Sequence, residues 1–228
     1  MKNIQTIKGF PLIKFQCKDK IKNIRQGEIY MKNLKWYRER ETANGNTVVG
    51  DKLEGLLHFS NASLKIPDLD YQIDMNNEAL QTDYTNDFAF CMSYINPQLQ
   101  NFRFSEEQKK ELLSFGDTAL LITDTYEFIR RILNSAENKG LKAYHGKINY
   151  YDVNVDSVAM ILSLLQGMHN VAFWKRDSYA LQQEYRFLLH SVKTDDDFFI
   201  LKIGDISDIS VVMETTTMLK AEIKPCKQ

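Results

Sequence analysis

The residues best suited to chemistry lie in one stretch, "YALQQEYRFLL" at positions 179–189. Gln182, Glu184 and Arg186 occupy alternate positions in it. Because side chains alternate between the two faces of a β-strand, an extended stretch places these three on one face and buries Tyr185 and Phe187 on the other. A carboxylate in such a position can stabilise a developing positive charge on a ribose. The stretch therefore predicts either a nucleotide site or an amphipathic strand with an Arg–Glu ion pair, and the residues alone favour neither.

Aromatic and cationic side chains precede this strand in "WKRDSY". Trp174 and Tyr179 offer aromatic faces, and Lys175 and Arg176 offer positive charge. A base, a nicotinamide ring or a diphosphate is bound by groups of these kinds. With this interleaving included, the nucleotide site and the ordinary amphipathic strand remain equally supported by the residues.

An acidic loop, "GDKLEG", places Asp51 and Glu54 three residues apart between two glycines. Such a pair suits a metal, a ribose or a basic group, but the loop taken alone favours a solvated turn. Elsewhere, Cys91 lies in the apolar run "FAFCMSYI" and is expected to be a buried thiol, with Ser93 on the same face of that strand. No Gly-x-Ser-x-Gly, Gly-x-Gly-x-x-Gly, Walker loop or His-Glu-x-x-His is present.

Composition and patterning place these residues in a mixed α+β domain. The 228 residues are 43% hydrophobic and carry 29 basic against 30 acidic side chains, a balance that does not favour non-specific binding to nucleic acid or to a membrane surface. Three scattered cysteines suit a reducing compartment, and no signal peptide or apolar run of about 20 residues is found, so we expect a cytoplasmic protein. We predict one domain over residues 1–228, with 63–87 as an excursion from its core.

The hydrophobic pattern indicates more strands than helices. Strands are predicted at "FPLIKFQ", "EIYMKN", "LLHFS", "FAFCMSYI", "DTALLIT" and "KAYHGKINYYDV". A helix begins at Ser105, where Gln108 completes a capping box. "DTYEFIRRILNSAENKG" predicts an amphipathic helix with Tyr126, Ile129 and Leu133 on one face, and "DSVAMILSLLQG" predicts a well-buried apolar helix.

The order of these motifs resembles a large uncharacterised family of bacterial and phage proteins. Its members typically have a Lys-Tyr near the start, an acidic loop, a strand ending in Phe-Ser and a late Lys…Glu-x-Glu-x-Arg stretch. The matching positions here are held by Lys14, Gly27, Asp51, Glu54, Ser93, Lys175, Gln182, Glu184 and Arg186. The layout is in turn similar to the ADP-ribosyltransferase superfamily, which implies split mixed and antiparallel sheets with flanking helices, and NAD as substrate.

The resemblance also implies roles for individual residues. Glu184 would stabilise the oxocarbenium-like ribose as nicotinamide leaves, Gln182 would orient the acceptor, and Ser93 would support both the nicotinamide pocket and Glu184. Lys14 stands where the superfamily usually has Arg or His, a departure that bears directly on catalysis. The implied cofactor-binding residues are Lys14, Tyr30, Asp51, Glu54, Trp174, Lys175, Tyr179 and Arg186.

Three functions follow as hypotheses. The first is an NAD-dependent ADP-ribosyltransferase, a toxin or phage-defence effector that modifies nucleic acid or protein and is held by a partner such as an antitoxin. The second is a catalytically silent module on the same fold that binds a nucleotide or a partner protein. The third is a metal-dependent nuclease that uses Asp51, Glu54 and Glu184, although an Asp…Glu-x-Lys pattern is missing.

Overall fold

The computed structural model describes residues 7–44, 49–66, 71–96 and 102–223. Its strands are β1 (Leu12–Gln16), β2 (Glu28–Asn33), β3 (Leu57–Ile66), β4 (Tyr71–Leu80), β5 (Phe88–Tyr94), β6 (Phe102–Arg103), β7 (Thr118–Ile122), β8 (Lys142–Lys147), β9 (Asn149–Tyr151), β10 (Trp174–Arg176), β11 (Glu184–His190), β12 (Phe198–Lys202), β13 (Ser210–Glu214) and β14 (Glu222–Ile223). Its helices are α1 (Lys18–Arg25), α2 (Leu34–Asn44), α3 (Glu106–Ser114), α4 (Thr125–Glu137), α5 (Val158–Gln166) and α6 (Thr215–Met218). These helices and largely antiparallel sheets confirm the mixed α+β class.

The chain forms two compact units. The first comprises Met1–Lys32, Phe88–Lys147 and Leu181–Gln228, and the second comprises Asn33–Asp87 and Ile148–Ala180. No helix in the described ranges combines the length and the apolar character needed to cross a bilayer.

The first unit is built around an eight-stranded sheet that branches at β5. Its strand order is β12-β2-β5-β1-β7-β13, and β11 pairs with both β5 and β8. β11 runs along β5 from Phe88 to Ser93, whereas β1 pairs with β5 through Leu12 and Ile13. Because β11 occupies one edge of β5, β1 and β2 share the other edge. The sheet therefore splits where β1 leaves β5, immediately before Lys14.

Both faces of this sheet carry apolar side chains. One face packs against α1 and α4 through a cluster that includes Leu12, Phe90, Tyr185, Phe187 and Phe128. The opposite face carries a second cluster that includes Ile13, Phe15 and Ala119 with Leu112 of α3 and Met218 of α6. The sheet is thus covered by apolar side chains on both faces, with the larger cluster on the face of α1 and α4.

The sequence predictions for helices α3 and α4 can both be compared with the structure of this unit. The capping box of α3 is confirmed: the Ser105 hydroxyl accepts from the Gln108 backbone N–H at 3.2 Å, and the Gln108 side chain accepts from the Ser105 N–H at 3.0 Å. The predicted amphipathic helix α4 is confirmed and Ile129 packs against the core, but Tyr126 does not belong to the apolar face, since it is 66% exposed. Phe128 and Ile132, with Ala136, form the buried stripe at intervals of four residues.

Gly27 ends the turn after α1 with a left-handed backbone, at φ +89°. A Cβ at this position would lie 2.0 Å from the carbonyl oxygen of Gly204, so a larger residue cannot be fitted without moving backbone. Gly140, which follows α4, also has positive φ, but a Cβ there would meet nothing within 4 Å. The two glycines therefore have different roles despite similar local geometry.

The second unit combines the β3–β4 hairpin, the parallel pair β9–β10, and helices α2 and α5. Its core cluster contains Tyr151, Met160, Val171 and Trp174. The prediction that α5 is well buried is wrong, since Met160 is its one buried residue and Leu165 is 80% exposed. Uniform apolarity in a sequence does not distinguish a covered helix from one with an uncovered apolar face.

Candidate functional site

Strand register brings Ser93 and Glu184 together in the first unit. β11 begins at Glu184, which lies directly opposite Ser93 of β5, and directly opposite residues of antiparallel strands share a face. Tyr185 and Phe187 point to the other face and enter the core, as predicted. The polar pair therefore lies on the face away from α1 and α4, close to the split in the sheet.

Arg186 is held by Glu184 on the same strand. Its Nε and Nη2 donate to Glu184 Oε1 at 2.9 and 2.7 Å. Both side chains are buried, at 1% and 5% exposure, so the pair lies in a medium of low dielectric constant. Glu184 and Arg186 thus form the Arg–Glu ion pair that the sequence predicted for an amphipathic strand. This ion pair fixes the orientation of the carboxylate. Arg186, which the resemblance implies would bind the cofactor, is engaged with Glu184.

Cys91 lies opposite Arg186 on β5 and faces the same side. Burial, reinforced by the negative charge of Glu184, raises the pKa of its thiol to about 12. The thiol stays protonated at neutral pH, which argues against a nucleophile, although Cys91 is partly exposed and not fully buried as predicted.

Lys14 approaches this group from the split between β1 and β5. Strand alternation assigns it to the face of Leu12, opposite to Ser93 and Glu184. Its ammonium donates to the backbone carbonyl of Cys91 at 2.6 Å and lies 4.9 Å from the ring centre of Phe90. Burial lowers the pKa of Lys14, an effect that the Glu184 carboxylate opposes. The ammonium is therefore within electrostatic reach of Glu184 while fixed to the β5 backbone.

Gln182 does not continue the strand that carries Glu184. It ends a 3₁₀ turn, and Gln183 has a left-handed backbone at φ +44°, which breaks the alternation. The Gln182 amide donates to Glu111 of α3 at 2.8 Å. The expectation that Gln182, Glu184 and Arg186 form one continuous strand face is wrong at Gln182, because the turn ends there.

Tyr30 lies on β2, pointing away from the core that holds its neighbours Ile29 and Met31. Its ring stacks on Phe198 of β12, with centroids 5.3 Å apart and planes 15° apart. The ring is 44% exposed. Tyr30 therefore shares the face of Glu184 but packs at the outer strands of the sheet.

The acidic loop is buried in the second unit. Asp51 and Glu54 are each 1% exposed, so the expectation of a solvated turn is wrong. The Asp51 carboxylate accepts from Arg176 Nε at 2.8 Å and from the Leu53 N–H at 3.0 Å. Glu54 lies 3.8 Å from the Lys175 ammonium. Distant cations neutralise the two acids, a pairing that no local sequence pattern reveals.

Further polar residues of the second unit complete this cluster. Arg176 also contacts Glu41, and its Nη2 lies 3.1 Å from the Tyr179 hydroxyl. The Tyr179 hydroxyl donates to the Gly50 carbonyl at 2.5 Å. Burial, strengthened by the Asp51 charge, raises the pKa of the Tyr151 phenol. Glu41 and Tyr151 were missed from the sequence because neither belongs to a recognisable motif.

Trp174, predicted to contact a nucleotide, lies in the core of the second unit. It is 9% exposed, and its indole N–H donates to the Ser163 hydroxyl at 2.9 Å. Lys175 is 4% exposed and its ammonium lies 4.4 Å from the ring centre of Tyr179. The structure thus separates the sequence-predicted residues into two groups, each described within its own unit: Lys14, Tyr30, Ser93, Gln182, Glu184 and Arg186 in the first, and Asp51, Glu54, Trp174, Lys175 and Tyr179 in the second.

Comparison of the chain with protein-family models, curated proteins and solved structures gives no match. The function of the protein is therefore inferred from the geometry of the two groups of residues and from the motif resemblance.

Proposed function

We propose that the protein is an NAD-dependent ADP-ribosyltransferase-like enzyme whose catalytic group is Glu184. The observation that carries this proposal is the placement of Glu184 at the start of β11, opposite Ser93 and beside the split in the sheet where Lys14 lies. The superfamily that the motifs resemble uses a split sheet, a serine on a middle strand and a glutamate at the start of a late strand.

In this reaction Glu184 has one role, which is to stabilise positive charge on the ribose. The bond between the nicotinamide nitrogen and ribose C1′ breaks, its electron pair leaves with nicotinamide, and the acceptor's nucleophile bonds to C1′ and loses its proton. Positive charge develops on the ribose in the transition state, and a preoriented carboxylate in a site of low dielectric constant stabilises that charge. Arg186 supplies the orientation, and Ser93 supports the nicotinamide ring. Lys14, on the opposite face of the sheet, acts on Glu184 through its charge alone.

Nicotinamide release tests this assignment. Purified wild-type protein is incubated with NAD and with RNA, DNA and protein acceptors in turn, and nicotinamide is quantified by chromatography. Glu184→Gln is expected to lower the rate about 10²–10³-fold, because it removes the charge and keeps the shape. Glu214→Gln, at the exposed end of β13, serves as the matched control and should leave the rate unchanged. Equal release by wild type and Glu184→Gln would remove Glu184 from the mechanism.

A second candidate is a silent nucleotide- or partner-binding module on the same fold. It is favoured by the two hydrogen bonds through which Arg186 occupies Glu184 Oε1, since these offset the charge that catalysis requires. NAD binding without nicotinamide release, with every acceptor class supplied, would select this candidate. The nuclease hypothesis gains no such observation: across the part of the chain that the structure describes, no three His, Cys, Asp or Glu side chains are placed to share a metal ion.

A further inference from the structure

Helix α1 carries a row of exposed cations, which we call the α1 cationic stripe. It consists of Lys18, Lys22 and Arg25, whose spacing of four and three residues places them within about 60° of arc on one side of the helix. Lys20 is exposed on another side, and Asp19 is the one acidic residue of α1. Four cations and one acid give the helix a net charge of +3. The chain as a whole, with 29 basic and 30 acidic side chains, is close to neutral, so its positive charge is concentrated here.

The charge of the stripe is largely uncompensated. Its three cations form no ion pair with any residue that the structure describes. Asp205 offsets part of the Arg25 charge: its carboxylate accepts from the Ser207 N–H at 2.8 Å, and the attraction of Arg25 adds to the hydrogen bonds from Ser207 that lower the pKa of Asp205. The positive charge that the stripe presents to solvent therefore comes mainly from Lys18 and Lys22.

Helix stability accounts for only part of this arrangement. Lys22 and Arg25 lie in the last turn, where the negative end of the helix dipole stabilises cations. Lys18 is the first residue of α1, at the positive end of the dipole, where a cation is unfavourable. Lys18 and Lys22 also repel each other, because they are like charges four residues apart. A cation that weakens its own helix is best explained by a role outside that helix.

The apolar side of α1 is already covered by the protein core. Ile21 and Ile24 are 1% and 5% exposed and belong to the cluster that packs on the sheet. The other residues of α1 are lysine, aspartate, asparagine and arginine. A helix that lies on a bilayer buries an apolar face in it, and protein–protein interfaces centre on apolar or aromatic side chains. Helix α1 offers neither of these to a partner, so its recognition depends on charge.

We propose that the α1 cationic stripe binds the phosphate backbone of nucleic acid. From Lys18 to Arg25 the helix rises roughly 10 Å, which corresponds to about three consecutive phosphates of one strand of a duplex. A regularly charged backbone is complementary to a row of cations that lacks apolar anchors. Because phosphate contacts carry no sequence information, we expect binding to be independent of base sequence. With so few contacts the dissociation constant is on the order of 10⁻⁴–10⁻⁶ M.

Fluorescence anisotropy of a labelled DNA duplex of about 20 base pairs tests the proposal, with the full chain titrated at several salt concentrations. NAD is omitted, so the result is separate from the assignment of Glu184. Three phosphate contacts predict that the logarithm of the association constant falls with the logarithm of salt concentration at a slope of about −2.7. Lys18→Gln and Lys22→Gln should each bring the slope closer to zero by about 0.9. The triple variant Lys18→Gln/Lys22→Gln/Arg25→Gln should bind at least about 10-fold more weakly at ~50 mM salt.

The matched control is the triple variant Lys35→Gln/Arg103→Gln/Lys202→Gln. It changes the net charge by the same amount, at side chains that are 60%, 70% and 75% exposed and are paired with Glu39, Glu222 and Glu28. This variant should bind the duplex within about twofold of the wild type, because the removed charges lie outside the stripe. Circular dichroism checks folding, and the single variants replace the triple variant if the latter does not fold. Lys18→Gln should leave Tm unchanged or raise it, since it relieves the repulsion with Lys22.

Three results would overturn the proposal. The first is no binding of the duplex at ~50 mM salt with up to ~200 µM protein. The second is equal weakening by the stripe variant and by the control. The third is binding of phosphatidylserine vesicles or of poly-glutamate through the stripe as tightly as the duplex, since either would point to a membrane or an acidic protein as the partner.

Discussion

Replacing Arg186 by methionine tests the most deeply buried charge in the candidate site. The guanidinium donates two hydrogen bonds to one oxygen of Glu184, and the two side chains are 1% and 5% exposed. Methionine keeps much of the volume but removes both donors from a carboxylate that has little access to water. Breaking a buried pair from one side costs about 3–5 kcal/mol in the free energy of unfolding. For a chain of this length, that corresponds to a fall in Tm of about 10 °C.

Urea and thermal unfolding of the wild type, Arg186→Met, Glu184→Gln and the double variant measure this cost. The free energy of unfolding of the double variant should fall by about 1–3 kcal/mol less than the sum of the two single losses. The reason is that each single variant leaves the other side chain buried without its partner, whereas the double variant removes both charges. Arg103→Met is the control: its ion pair with Glu222 is at 2.7 Å with Arg103 70% exposed, and it should cost under about 1 kcal/mol. Strict additivity, or an Arg186→Met cost no larger than the control's, would refute the buried-pair reasoning.

Three further predictions concern the first unit. Gly27→Ala should lower the free energy of unfolding by well over the ~1 kcal/mol expected for Gly140→Ala. The reason is that a Cβ at Gly27 would lie 2.0 Å from a backbone carbonyl oxygen, whereas a Cβ at Gly140 would meet nothing within 4 Å. Equal losses of unfolding free energy for the two variants, measured in urea, would contradict the clash. With the other two cysteines replaced by serine, Cys91 should resist maleimide at pH 8 and react only in denaturant, because its thiol has a pKa of about 12; rapid labelling of the folded protein would contradict the raised pKa. Hydrogen bonds from two arginines lower the pKa of Glu127 from 4.5 to about 2, so its contribution to stability is present above pH 4.5 and lost as the pH falls towards 2. Glu127→Gln should therefore flatten the pH dependence of Tm between pH 4.5 and 2. An unchanged pH dependence in this variant would contradict the role of Glu127.

The strands and capped helices were predictable because their signals are local. The α3 capping box, the apolar run of β5 and the alternation of Glu184, Tyr185 and Arg186 each follow from neighbouring residues. The start of β11 was not predictable as precisely, since a left-handed backbone at Gln183 removes Gln182 from the strand.

The partners of buried acids were beyond sequence reasoning. Asp51 is neutralised by Arg176, which lies 125 positions away along the chain, so a loop that resembles a solvated turn is interior. The exposure of α5 was missed for a related reason: apolar composition indicates burial, but whether a neighbouring element covers each face depends on tertiary packing. In both cases the deciding contacts are non-local.

Calorimetric titration of NAD into the purified wild-type protein tests the central claim most directly, because it asks for the nucleotide site without requiring an acceptor. The account predicts saturable binding at one site per chain. It also predicts that Glu184→Gln retains this binding within a few-fold, since the carboxylate acts on the transition state rather than on the bound substrate. Absence of any binding heat at millimolar NAD, in protein shown to be folded, would contradict the assignment of this site to NAD.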